Sequence, residues 1–156
     1  MKLVDANVLL YAVDADARHH ARAKTWLDSA LSSRETVAIP WVCALAFVRL
    51  ATSRRIYANP LPVDDAFDIL NGWMNRPSVI SPEPGAGHSD RMRMLLADVG
   101  TGGNLVMDAH LAALAIANRA HARTRVAGRN FSFSAVCDSR IWPSAFMALM
   151  RSPRPT

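Results

Sequence analysis

Short apolar runs alternate with amphipathic helical stretches along this chain, and that alternation constrains the fold more than any other feature. The runs are Leu3-Val4, Thr36-Val37-Ala38-Ile39, Val79-Ile80 and Leu105-Val106-Met107. Between them, residues 17–32, 41–53, 63–75 and 88–99 carry apolar side chains at helical spacing. The clearest is 63–75, with Ala66, Phe67, Ile69, Leu70, Trp73 and Met74 on one side. Strands separated by helices predict an α/β domain with a parallel sheet buried between helices. With 156 residues, half of them apolar and 20% charged, the chain is expected to form one globular domain over 1–156.

No stretch is apolar for long enough to span a bilayer. Asp5 and Asp14 interrupt the N-terminal apolar run, so no signal peptide is expected. Cys43 and Cys137 lack metal-ligand spacing and read as reduced thiols of a cytoplasmic protein. The net charge of +5 is unevenly placed: residues 118–156 hold seven arginines and one acid, Asp138, while the remainder is close to neutral. The basic pI therefore argues for a polyanionic partner only through the tail.

Two of the apolar runs end on an aspartate, Asp5 and Asp108. Open α/β sheets place their sites beyond the carboxyl ends of the strands. Two carboxylates meeting there repel unless they share a proton or a cation, and oxygen ligands favour Mg²⁺ or Mn²⁺. Taken singly, Asp5 also suits an Asx-turn and Asp108 a helix N-cap. Asn7 and Asn104 are either turn residues or groups that orient such ligands.

Other candidates carry less. Gly100-Thr101-Gly102-Gly103 lacks the lysine of a phosphate-binding loop. His19 and His20 are expected in solvent, and His110 in a packed or surface role. Trp26, Trp41 and Trp73 are expected in the core. Arg49, Arg54 and Arg55 either hold phosphates or form a solvated helix end.

Three blocks resemble PIN-domain nucleases, particularly the VapC toxins of type II toxin–antitoxin systems. They are Leu3-Val4-Asp5-Ala6-Asn7-Val8-Leu9, the stretch Trp41 to Thr52, and the stretch Gly100 to Ala115. The resemblance covers roughly residues 1–118, and 119–156 form an atypical arginine-rich segment. It implies a three-layer α/β/α sandwich around a parallel sheet. It implies a Mg²⁺- or Mn²⁺-dependent ribonuclease, a hydrolase of RNA phosphodiesters, inhibited by a VapB-type antitoxin and forming a homodimer. Asp5 and Asp108 match members of the family's acidic cluster, as metal-holding and catalytic positions.

The chain departs from that pattern twice. Ala46 stands where many members carry a glutamate. The family's ending, an acid followed by an arginine-phenylalanine-proline turn, is replaced by Val126-Ala127-Gly128-Arg129-Asn130-Phe131-Ser132-Phe133-Ser134. The codons permitted for these residues, read one base later, allow Ser-Arg-Asp-Ala-x-Phe-Arg-Phe-Pro. A frameshift between Asn118 and Arg125 accounts for that. The alternative is a divergent strand, with Asp138 as a displaced acid. The functional alternative is a weak or inactive module that still binds antitoxin. A phosphatase of the haloacid-dehalogenase type is disfavoured, because Asn7 occupies the place of its second aspartate.

Overall fold

The computed structural model describes residues 1–97, 103, 105–118, 123–124 and 131–132. Two compact units, Met1–Pro82 and Glu83–Thr156, divide the chain.

The first unit is built on a parallel sheet of β1 (Lys2–Leu3), β2 (Val37–Ala38) and β3 (Val79–Ile80), in that order. Lys2 pairs with Val37 and Leu3 with Ala38; Val37 pairs with Val79 and Ala38 with Ile80. Backbone bonds beyond the strands extend the ladder, with Val4 N donating to Ala38 O at 2.9 Å and Ile39 N to Ile80 O at 2.9 Å. Val4, Val37, Ala38 and Ile39 are fully buried, as expected of strands covered on both faces. Pro40, with no N–H to offer a neighbour, ends β2.

Helices α1 (Ala6–Val13), α2 (His20–Ser32), α3 (Trp41–Ala51) and α4 (Val63–Met74) complete this unit. Helix α1 packs against α2 and α3, and α3 against α4. The core joins Leu9, Leu27, Ile39, Phe47 and Leu70. The Phe47 and Trp73 rings lie 5.1 Å apart, tying α3 to α4.

In the second unit, α5 (His88–Ala97) packs against α6 (Leu105–Ala117). A short antiparallel pair joins β4 (Arg123–Thr124) to β5 (Phe131–Ser132).

The α/β class with a parallel sheet is as expected, with three corrections. Helix α1 is additional: it has only eight residues, and its Val8-Leu9-Leu10 run continues the apolar start of the chain, so the half-buried side with Asn7 and Tyr11 is too short to reveal a 3.6-residue period. Leu105-Val106-Met107 is the first turn of α6, not a fourth strand. Val106 and Met107 are 39% and 46% exposed, which a buried strand would not permit. The alanine- and leucine-rich run beyond them favours helix and carries it back to Leu105. Trp41 is 47% exposed, so it is no core residue, whereas Trp73 packs on Phe47. The Gly100–Gly102 stretch, Asn104, Cys137, Asp138 and most of the proposed out-of-frame segment lie outside the described residues.

Candidate active site

Asp5 follows the buried Val4 at the carboxyl end of β1 and is the N-cap of α1. Its backbone is extended, with φ −84° and ψ 154°, as a helix cap requires. Asp5 Oδ1 accepts the Ala6 backbone N–H at 2.7 Å, and Oδ2 accepts the Asn7 side-chain amide at 3.0 Å. Ala6 and Asn7 thus supply the donors around this carboxylate, and its roughly four acceptor positions leave capacity for more. Burial pushes the Asp5 carboxyl above the ordinary aspartate range, and the bonds from Asn7 and Ala6 only partly oppose it. A carboxylate in that condition gains from a nearby cation.

Cys43, in the first turn of α3, faces the same turn of chain. Its thiol is buried and pushed up to about 12, first by burial and then by the negative charge of Asp5. It is a packing residue rather than a nucleophile. One helical turn beyond it lies Ala46, half-buried and without a ligating atom. Among the described residues, the carboxyl end of β1 therefore brings together Asp5, the Asn7 amide that orients it and the Cys43 thiol, with Ala46, where the resemblance expects a glutamate, one turn further along α3.

Asp108 lies in the first turn of α6 and is half-buried. It neither follows a strand nor caps the helix, because α6 already begins at Leu105. An acid in a first turn is favoured by the unpaired backbone N–H groups there. Asp5 belongs to the first unit and Asp108 to the second.

His110, two residues further along α6, pairs with His88 of α5. The rings stand 4.9 Å apart edge-on, and His88 Nε2 lies 2.9 Å from His110 Nδ1. Burial, then the neighbouring His88, lowers the His110 pKa, against a smaller opposite effect of Glu83. The packed role expected of His110 is what this pairing gives. His19 and His20 depart from the expected solvation, since both lean on Tyr11. The His19 ring is 5.6 Å from that of Tyr11, and His20 Nδ1 lies 3.0 Å from its carbonyl oxygen.

Among the described residues, no group of three or more His, Cys, Asp or Glu side chains is arranged to hold a metal. The donor chemistry of Asp5 nevertheless suits a hard divalent cation: it supplies carboxylate oxygen whose ionised form is under-compensated.

Comparison with known proteins identifies the family. The PIN domain family matches residues 2–125. The chain belongs to the PIN-domain family and, within it, to the VapC group. It is 49% identical over 120 residues to "Ribonuclease VapC37" of Mycobacterium tuberculosis, covering 77% of this chain and 83% of that one. It is 36% identical over 120 residues to "Ribonuclease VapC43" of the same species, covering 77% and 82%. Identity to its "Ribonuclease VapC31" is 35% over 116 residues, covering 74% and 82%.

Proposed function

We propose that this chain is a metal-dependent ribonuclease, the toxin of a VapB–VapC pair, with Asp5 and Asp108 as metal ligands. The observation that carries the reading is Asp5: a carboxylate at the carboxyl end of a parallel strand, oriented by Asn7, in a chain 49% identical to a named ribonuclease. Mg²⁺ is the preferred ion and Mn²⁺ an acceptable one, because oxygen donors suit both. When bound, such an ion supplies charge neutralisation at the phosphodiester and activation of water.

The protein's own residues do the positioning. Asn7 holds the Asp5 carboxylate in one orientation, and the Ala6 N–H fixes its other oxygen. The rigid start of α1 keeps both in place. Asp108 contributes a second carboxylate from the first turn of α6.

The partners of this reading are RNA as substrate, a VapB-type antitoxin as inhibitor, and a second copy in a homodimer. Among the described residues no helix is long and apolar enough to cross a membrane. We place the protein in the cytoplasm, in keeping with the buried free thiol of Cys43.

Ala46 favours a second reading, a module that binds antitoxin without cutting RNA. Metal titration combined with an RNA cleavage assay separates the two. The nuclease binds Mn²⁺ and cuts, and both properties are lost in Asp5→Ala and Asp108→Ala with the fold intact. A chain that captures antitoxin but neither binds metal nor cuts is the inert module.

A further inference from the structure

We propose that a cleft at the C-terminal end of α1 binds one base of the single-stranded RNA, and that its polar rim selects guanine. This rests on the ribonuclease reading and adds a specificity site to it. The cleft has a volume of about 180 Å³, the scale of one base or one large side chain, with Leu10, Phe47 and Leu61 among its apolar walls. Three polar residues share its lining: Asp14, Tyr57 and Asn59. RNA-binding proteins commonly take up splayed bases in this way, apolar or aromatic surface against the ring and polar groups on its edge.

The Asp14 carboxylate accepts the Asp16 N–H through Oδ1 at 3.1 Å and lies near enough to the Tyr57 phenol to raise its pKa, after burial. A carboxylate offers about four acceptor positions, so it retains capacity for a ligand. Two adjacent N–H donors on a Watson–Crick edge satisfy a carboxylate best, and among the four RNA bases only guanine presents them, at N1 and N2. The Asn59 amide on the exposed rim is able to donate to the guanine O6.

A phosphate grip lies on the same turn of chain. Ile56 N and Tyr57 N both donate to Ser53 O at 3.1 Å, closing a turn that carries Arg54 and Arg55 beside Tyr57. Both arginines are exposed, as is Arg49 in the last turn of α3. No acid occurs in the sequence between Glu35 and Asp64, so these three cations stand in an acid-free stretch of a nearly neutral unit. Guanidinium groups so placed suit phosphate oxygens.

Asp5 and Asp14 cap opposite ends of the same eight-residue helix. The axial rise over that length is ~12 Å. A strand of RNA laid along α1 thus presents one phosphodiester near Asp5 and a base a few nucleotides away at the cleft. A side chain of a protein partner also fits such a cleft by size, but an acid-free arginine cluster favours the polyanion.

The test uses the full chain with Asp14→Asn, which keeps the shape and removes the charge, and with Asn59→Ala on the exposed rim should Asp14→Asn fail to fold. Guanosine, adenosine, cytidine and uridine 5′-monophosphates are titrated while the Tyr57 ring is followed by NMR. Cleavage is measured on RNAs that differ in one base at a fixed offset from the cut. The expected result is guanine preference of about tenfold or more, lost in the variants and falling on KM. Variants that keep wild-type KM and base preference overturn the site, as does a cleft filled by an antitoxin side chain with no guanine effect. Guanosine monophosphate binding at Tyr57 in a chain that cuts no RNA supports the cleft while removing the ribonuclease reading.

Discussion

Asn7 donates its side-chain amide to Asp5 Oδ2 at 3.0 Å, so the residue two places after the acid fixes the orientation of the acid itself. The sequence leaves Asn7 open between a turn residue and an orienting group; the structure makes it an orienting group at the head of α1. Removing it in Asn7→Ala frees the carboxylate to rotate and takes away a bond that opposes its raised pKa. Mn²⁺ affinity is expected to fall about tenfold or more, in line with losses seen when groups supporting a ligand are removed. Isothermal titration of the purified chain reads this directly.

Asp5 also sets a pH dependence. Its folded pKa is raised, chiefly by burial, so the folded state holds this proton more tightly than the unfolded chain. That contribution to stability is present below the unfolded aspartate value and is lost as pH rises through the folded value. With divalent ions chelated, the protein is therefore expected to be destabilised across that window. Asp5→Asn, which cannot ionise, is expected to lose this component and to be the more stable chain at neutral pH. Thermal melts in chelator from pH 3 to pH 7 give the comparison, and added Mn²⁺ is expected to stabilise the wild-type chain more than the variant.

Ala46→Glu restores an acid one turn beyond Cys43. In chelator it is expected to lower the melting temperature, since it adds a carboxylate to a half-buried position on the helix that already approaches Asp5. With Mn²⁺ present the sign is expected to reverse, with affinity tighter by about tenfold from an added oxygen ligand. Equal melting curves with and without metal would show that Ala46 does not face the ion.

Phe47 is fully buried in α3, packs on Trp73 and lines the α1 cleft. Phe47→Ala is expected to cost about 3–5 kcal/mol, the range for removing a buried aromatic side chain. Urea unfolding measures it. A loss below about 1 kcal/mol would contradict the packing of this core.

The arginine-rich ending is a prediction about nucleotides. A frameshift between Asn118 and Arg125 requires that the codons from Val126 to Ser134, shifted by one base, spell Ser-Arg-Asp-Ala-x-Phe-Arg-Phe-Pro. Sequencing that stretch of the gene decides it, and codons that exclude this reading end the idea.

Much of the fold is legible in the sequence because its elements carry local punctuation. Val79-Ile80 sits between Pro77 and Pro82, and α3 starts directly after Pro40, as expected. Helix α4 is visible from its periodicity, although burial selects only Ala66 and Leu70 and leaves Phe67 39% exposed. Helix α1 is hidden by its length, since eight residues with a continuous Val8-Leu9-Leu10 run give too short a window for a helical period. Leu105-Val106-Met107 misleads for a related reason: three apolar residues are too few to separate a strand from a helical turn. Of the two proposed ligands, Asp5 is legible from its place after β1, whereas Asp108 is proposed on the resemblance and not on a strand end. The Cys43–Asp5 and Asp14–Tyr57 proximities join distant stretches of chain and have no sequence signal.

On the proposed reading, Asp5 holds a divalent ion used to cut RNA. The most direct measurement is cleavage of single-stranded RNA by the purified chain and by Asp5→Ala, with Mn²⁺ and with chelator, after both are shown to be folded by circular dichroism. Cleavage is expected from the wild-type chain only with the metal, with a loss of at least about 100-fold in Asp5→Ala, on the scale of removing a group that stabilises the transition state. Undiminished cleavage by folded Asp5→Ala, or equal cleavage in chelator, would contradict it.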